Sequence, residues 1–346
     1  MTWTLQPIAS FENFAPQWDL LQARVAGLPF LESGFLLPLL ASFGNGQELL
    51  AVESDGAQVT AAAILVKGGL GRWSTFQPSQ LPLGAFLCES GRALEPLASE
   101  LLRALPEPAL VLGLTQVDSA LHPRPANTAR LRTQDYIETA WVDIEGAFAA
   151  YWEARGKNLR QNTRKQLKKL ESLELQPRLE VLSSASAVAA VLADYGRLEA
   201  AGWKAGEGTA IAPGHPQYEF YRHMLEHFCA SGRALLYRYY FNDQAVAMDL
   251  CIASGDALVI LKTAYDEAHK AVSPSTLMRA EQFEALFAEG RFKRIEFFGR
   301  VMEWHTRWTE HARGIYHASL YRWAWLPALR QRLKRAPEAV PHGDGS

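Results

Sequence analysis

ALVILKTAYDEAHKAVSPSTLMRAEQFEALFAEGRFKRIEFFG, residues 257–299, reads as strand, polar loop, helix and strand. The apolar run 257–264 has strand length and ends in Lys262, Thr263 and Ala264. Tyr265 and Asp266 then open a loop that carries His269 and Lys270. Ser273 is suited to an N-cap and Pro274 to the first helical turn. Leu277, Ala280, Phe283 and Phe287 form an apolar stripe, and Gly290 ends the helix. Ile295-Glu296-Phe297-Phe298 is a second short strand. A strand running into a helix N-terminus presents free backbone N–H groups and the positive end of the helix dipole. That arrangement suits a pyrophosphate, although any capped helix shares it.

Upstream, 234–240 and 245–252 read as strands joined at Asn242-Asp243, and Ser254-Gly255-Asp256 turns into the strand at 257–264. The same grammar occurs earlier. Strands at 48–53 and 58–66 flank Asp55-Gly56, with helices at 11–26 and 33–43 before them. A Pro-rich connection, a helix near 91–105 and a strand near 109–114 follow. An offset of 187 residues lays Asp55-Gly56 on Asn242-Asp243, Val59 on Val246 and Gly68 on Gly255. The repeated order predicts an internal duplication. We expect units at 1–140 and 141–325, with the boundary between about 130 and 150, and a terminal helix and flexible tail at 326–346.

Composition sets the outer limits. The chain has 346 residues, 48% of them hydrophobic and 21% charged, which is the profile of folded domains. A formal net charge of -2 gives no global attraction to nucleic acid. Cys88, Cys229 and Cys251 are scattered, which predicts reduced thiols. The N-terminal residues lack a signal-peptide pattern, and every long apolar run is interrupted by Glu, Arg or Pro. The expected location is therefore cytoplasmic; the aromatic and basic stretch 323–335 reads first as a terminal helix packing its Trp and Leu on the domain, with peripheral contact at the inner membrane face as the other option.

Four further features bear on chemistry. Residues 155–170 hold seven basic residues and no acid, with Arg160, Arg164 and Lys168 on one helical face. The ordinary reading is a solvated face, and the functional one is an anion site. Glu199 to Lys204 places Trp203 and Lys204 in a Gly-flanked segment that can line a cleft or plug a core edge. Asp249 lies inside the strand AMDLCI, so it faces a cleft or a core and needs a partner. His223, Glu226 and His227 match the H-x-x-E-H pattern, but no peptidase architecture surrounds them and no metal is expected.

Taken in order, these segments resemble the CelD/BioF2-like acetyltransferase family, a branch of the GNAT superfamily related to the Fem-type aminoacyl transferases. The basic helix of that family looks like Asn158 to Lys169, and its E-xxx-W-K segment like Glu199 to Lys204. Its K-xx-Y-D strand end resembles Lys262, Tyr265 and Asp266. Its S-P-G helix start resembles Ser273-Pro274-Ser275, and its terminal motif resembles Glu296 to Gly299 followed by Trp304, His305 and Trp308. Glu296 stands where Asp is usual, Ser275 where Gly is usual and His305 where Lys is usual.

The resemblance implies an α/β (α+β) fold of tandem GNAT-like domains, each a mixed, mainly antiparallel sheet flanked by helices, the first degenerate. It implies transfer of an acyl group from acetyl-CoA or another acyl-CoA to an amine, with an amino sugar, a surface-polysaccharide precursor or an amino-acid derivative as acceptor. Glu296, His305, Glu199 and Asp249 become the candidate bases. Lys262, Ser273, Ser275 and Thr276 become the donor-binding set, and Arg160, Arg164, Trp203, Lys204, Tyr265, Asp266 and Trp308 the substrate-binding set, with the basic helix on an anionic donor or acceptor. Two alternatives stand beside this reading. One is a Fem-like transferase using aminoacyl-tRNA, with the basic helix on RNA. The other is a non-catalytic binding module for polysaccharide assembly.

Overall fold

The computed structural model describes residues 2–201 and 211–335; Trp203, Lys204 and the tail beyond 335 lie outside them. The first half contains β1 (Thr2–Pro7), α1 (Phe11–Val25), α2 (Ser33–Phe43), β2 (Leu49–Asp55), β3 (Gln58–Lys67), β4 (Arg72–Thr75), β5 (Phe86–Cys88), α3 (Leu94–Ala104), β6 (Val111–Asp118) and β7 (Leu131–Asp143). The second contains α4 (Phe148–Ala154), α5 (Lys157–Ser172), β8 (Pro177–Leu182), α6 (Val188–Ala201), α7 (Pro216–Ala230), β9 (Ala234–Phe241), β10 (Gln244–Ser254), β11 (Ala257–Tyr265), α8 (Pro274–Glu289), β12 (Arg294–Glu296), α9 (Glu303–Thr306), β13 (Ala312–Tyr321) and α10 (Leu326–Arg335).

The hairpin signals fold as read. Gly56, Asn242 and Gly255 adopt positive φ at the β2–β3, β9–β10 and β10–β11 turns. Tight turns need that conformation, and Gly and Asn supply it at the lowest steric cost. The two halves then repeat one layout. A three-stranded antiparallel run, β2-β3-β4 or β9-β10-β11, is followed by a helix, α3 or α8, and by a parallel partner strand. β6 joins β4 and β12 joins β11 in this way. The antiparallel pairs far outnumber these two parallel ones.

The closing strands are exchanged. β7, from the first half, pairs with β12 of the second, and β13, from the second, pairs with β6 of the first. β7 and β13 also pair with each other along most of their length. The described strands therefore share one sheet in the order β1-β2-β3-β4-β6-β13-β7-β12-β11-β10-β9-β8, with β5 on β3. A cut at residue 140 falls inside β7, and β13 belongs by hydrogen bonding to the first half's sheet, so chain order and sheet membership differ.

Three apolar layers hold this sheet. One is shared: α1 and α2 pack with α6 and α7 through Trp18, Phe35, Tyr195 and Phe220. Phe35 meets Phe220 edge-on at 5.1 Å. Phe30 meets Phe298 at 4.6 Å, and Arg233 of the second half grips Glu32 of the first through two contacts of 2.8 and 2.7 Å. The other layers are private, one under α3 and one under α4, α5 and α8. Among the described residues, no helix is long and apolar enough to cross a membrane. Trp323 and Trp325 do not pack into a core; they stack on each other at 5.6 Å and stay largely exposed. On α7, His223 sits with Glu219 and Glu226, whereas His227 lies against Gly34.

Candidate active site

β11 and β12 pair only from Ala257↔Arg294 to Val259↔Glu296. Beyond this the strands part, while β12 stays with β7 through the Phe297 N–H, which donates to Ala140. A shift of register between Leu250 and Cys251 also leaves Leu261 unopposed on β10, a bulge beside the opening. The crossover from β11 into α8 then places the start of α8 at the mouth of the gap. Here a groove opens between the end of β11, the first turn of α8, α9 and α5. It comprises two adjoining cavities of about 290 and 500 Å3 that share Ser273, Thr276 and Arg307.

Of the residues singled out by sequence, Tyr265, Ser273, Ser275, Thr276 and Trp308 line this groove. Ser273 occupies the N-cap position of α8, but its side chain makes no capping bond; its backbone is left-handed at φ 50 and ψ 57. A non-glycine residue held there is strained, and such strain collects at functional sites. Ser275 Oγ is buried with no partner among the described residues, and so is Gln166 Oε1 across the groove. Buried polar atoms rarely stay unpaired, so both mark places where a ligand would complete the hydrogen bonding.

The basic helix contributes differently from the expectation. α5 turns Asn158, Asn162 and Gln166 into the groove, while Arg160 and Arg164 do not line it. The sequence signal for this face is the amide stripe at i, i+4, i+8 rather than the charges beside it. Arg155 of the basic run and Trp304 of the terminal motif also line it, as do Arg279 and Arg307, which the sequence reading does not single out. Arg279 has a sequence signal, a lone cation on the buried stripe of α8.

The four candidate bases lie elsewhere. Asp249 is fully buried on β10 and receives Arg279 Nη2 at 2.8 and 3.1 Å. Arg279 in turn lies under Trp304, 4.6 Å from its ring. Glu296 sits in the sheet between β7 and β11, bound to Arg313 at 2.9 Å, and Arg313 also binds Asp118 of the first half. Burial outweighs the pull of Arg313 and holds the Glu296 carboxyl above its ordinary pKa. Its hydrogen-bonded partner is Arg313 of the exchanged strand β13, while Arg294, two residues before it, adds a longer ion pair at 3.8 Å. Glu199 accepts from Lys262 Nζ at 3.2 Å and from the Ile211 N–H at 3.1 Å. Asp266 caps the turn after β11 through the Ala268 N–H and holds Gln244 and His269.

His305 is buried between Trp304, stacked at 3.5 Å, and Phe297, edge-on at 4.9 Å. Its Nδ1 accepts the Met302 N–H at 2.9 Å, which puts the ring proton on Nε2. Burial, and then the nearby Arg279 charge, lower its pKa to about 4. At neutral pH it is a neutral wedge in α9. The unfolded chain protonates near the ordinary value of 6.5, so the stabilisation is complete above that pH and is lost as pH falls toward 4. Wild-type protein should lose on the order of 2 kcal/mol between pH 7 and 4.5 relative to His305→Gln, whose amide oxygen can still accept from Met302. Urea midpoints at the two pH values check this. Equal pH slopes in the two proteins would show that the ring is hydrated.

Lys262 faces a third cavity, of about 340 Å3, together with Leu261, Phe297 and Phe298 and with Gln116 and Tyr136 from the first half. Phe297 packs edge-on against Trp304 of the groove at 5.5 Å. One aromatic layer therefore separates the groove from this cavity, at the point where β11 and β12 part.

The acetyltransferase (GNAT) domain family matches residues 157–306, the segment that builds the groove. The fold is GNAT-like. The C-terminal domain of a putative lysylphosphatidylglycerol synthetase from Agrobacterium fabrum superposes with a TM-score of 0.53 at 12% identity, over 86% of this chain and 93% of that one. A tandem GNAT protein from the clavulanic acid pathway gives 0.52 at 12%, over 91% and 98%. FemX gives 0.51 at 10%, over 83% and 90%. No curated protein matches the sequence. At such identities the shared property is the GNAT-like arrangement itself, here in its tandem form.

Proposed function

We propose that the chain is an N-acyltransferase, of the CelD/BioF2-like kind, that moves an acyl group from acetyl-CoA or another acyl-CoA to an amine. The observation that carries this reading is the groove at the parting of β11 and β12, with strained Ser273 and unpartnered Ser275 at its mouth. The first-turn N–H groups of α8 suit the pyrophosphate, and Arg307 and Lys270 supply cations beside it. The pantetheine arm would run along Tyr265 and Trp308 toward the gap. There the bulge at Leu261 leaves backbone to meet the thioester oxygen. The amine attacks the thioester carbon, the tetrahedral intermediate expels the CoA thiolate, and the amine proton leaves. No covalent enzyme intermediate is needed. Glu199, behind Lys262, is the carboxylate we assign to proton removal on the acceptor side. A CoA donor goes with a cytoplasmic location, and no metal enters the scheme.

Titration calorimetry with acetyl-CoA, CoA and longer acyl-CoAs tests the donor. Release of free thiol on adding a panel of amines tests the transfer. Absence of CoA binding at millimolar concentration defeats the proposal. One observation favours a second, aminoacyl-tRNA-dependent reading. Arg164, Lys165, Lys168 and Lys169 of α5 are all exposed. Salt-dependent tRNA binding without CoA binding would select it.

A further inference from the structure

The cavity behind Phe297 lies where the two halves meet, and its lining has a definite chemistry. Lys262 and Arg300 enter it from the second half, Gln80 and Gln116 from the first. Among the described residues, none that lines it is acidic. Glu199 offsets Lys262 from behind, which leaves the positive charge of Arg300 in excess. Arg300 is exposed and has no ion-pair partner among the described residues. Tyr221 is 3% exposed and lines the cavity, and its hydroxyl has no hydrogen-bond partner among the described residues. Gln80 Oε1 is likewise buried and unpaired. Two lining residues, Gln116 at φ 47 and Phe298 at φ 50, hold positive φ without being glycine. Phe298 is fixed in that state by Phe30 on one side and by the Arg313 guanidinium, 4.9 Å from its ring, on another. Two strained backbones, an unpaired phenol, an unpaired amide oxygen and an excess cation meet in one space.

We infer that this cavity is the acceptor site and that the acceptor amine carries an anionic group. This rests on the acyl-transfer reading above. The anion pairs with Arg300 and Lys262, the Tyr221 hydroxyl donates to it, and Gln80 Oε1 accepts from the amine or a neighbouring hydroxyl. The amine then points past the edge of Phe297 into the gap between β11 and β12, where the thioester would lie. A carboxylate and a phosphate share this chemistry. A polyamine or a neutral amino sugar does not meet it.

The test uses product-like probes on the full chain, with and without saturating CoA. N-acetylglycine carries the carboxylate, N-acetyl-2-aminoethyl phosphate the phosphate, and N-acetylglycinamide is the neutral control. We expect at least one anionic probe to bind ten times or more tighter than the amide by calorimetry. Arg300→Met should erase that margin and Arg300→Lys should restore part of it, with CoA affinity unchanged in both. Whichever anion gains more names the acceptor class. Equal binding of the amide, no binding by either anion, or a margin that survives Arg300→Met overturns the assignment. The CoA-free arm keeps the result independent of the donor site. Failure of CoA binding alone counts against the proposed function and leaves the anion result standing.

Discussion

Arg279→Met should destabilise the protein by about 3–5 kcal/mol, the cost of leaving one member of a buried ion pair alone. Asp249 is fully buried, the Arg279 side chain is 3% exposed, and one nitrogen serves both carboxylate oxygens. The cation also lies on the faces of Trp304 and Phe297, at 4.6 and 5.6 Å. Methionine fills much of the volume and keeps an apolar contact with Trp304 but supplies no charge. The carboxylate must then ionise without a partner or take up a proton at neutral pH. Arg279→Met with Asp249→Leu should recover most of the loss, because apolar pairs of similar volume replace buried ion pairs at little cost. Urea denaturation of the two variants measures this directly. A single variant within about 1 kcal/mol of wild type would show that water reaches Asp249. A double variant no better than the single would place the loss in packing instead.

Thr276→Trp should weaken acetyl-CoA binding at least a hundredfold, about 2.8 kcal/mol, and leave the fold intact. Thr276 lines both cavities of the groove, so a bulky ring there closes the waist between them. The site lies in the first turn of α8 and is half-buried, and Trp is tolerated in helices as well as Thr. The melting temperature should therefore hardly move, the opposite signature to Arg279→Met. Calorimetry for CoA and a thermal melt on the same sample decide it. Unchanged CoA affinity would mean that the donor does not use this groove. A collapsed melt would mean that Thr276 supports the helix start; Thr276→Leu, smaller and still helix-compatible, then repeats the test.

Local chemistry made the hairpins and the α8 unit legible. Asp55-Gly56, Asn242-Asp243 and Ser254-Gly255-Asp256 are turns whatever surrounds them, because positive φ at those positions suits few residues. Pro274 suits the first turn of α8 and Gly290 supplies the positive φ that ends it, and the apolar stripe between them faces the second half's core. Sequence alone therefore determined two copies of a strand-turn-strand unit and a strand entering a helix at a polar loop. It also showed, through Asp249, that a charge sits inside an apolar strand, but not that Arg279 answers it. Only the tertiary structure decided that, since their strand and helix lie 30 residues apart and meet face to face. The exchange of β7 and β13 was equally invisible. Strand partners are chosen by non-local packing, and β13 satisfies an edge of β6 almost 200 residues earlier in the chain. That exchange gave Glu296 the partner Arg313, tied Arg313 to Asp118 of the first half and closed a cavity with residues from both. The sequence held the residues of the candidate site; the pairing of distant edges decided which of them face a ligand and which face each other.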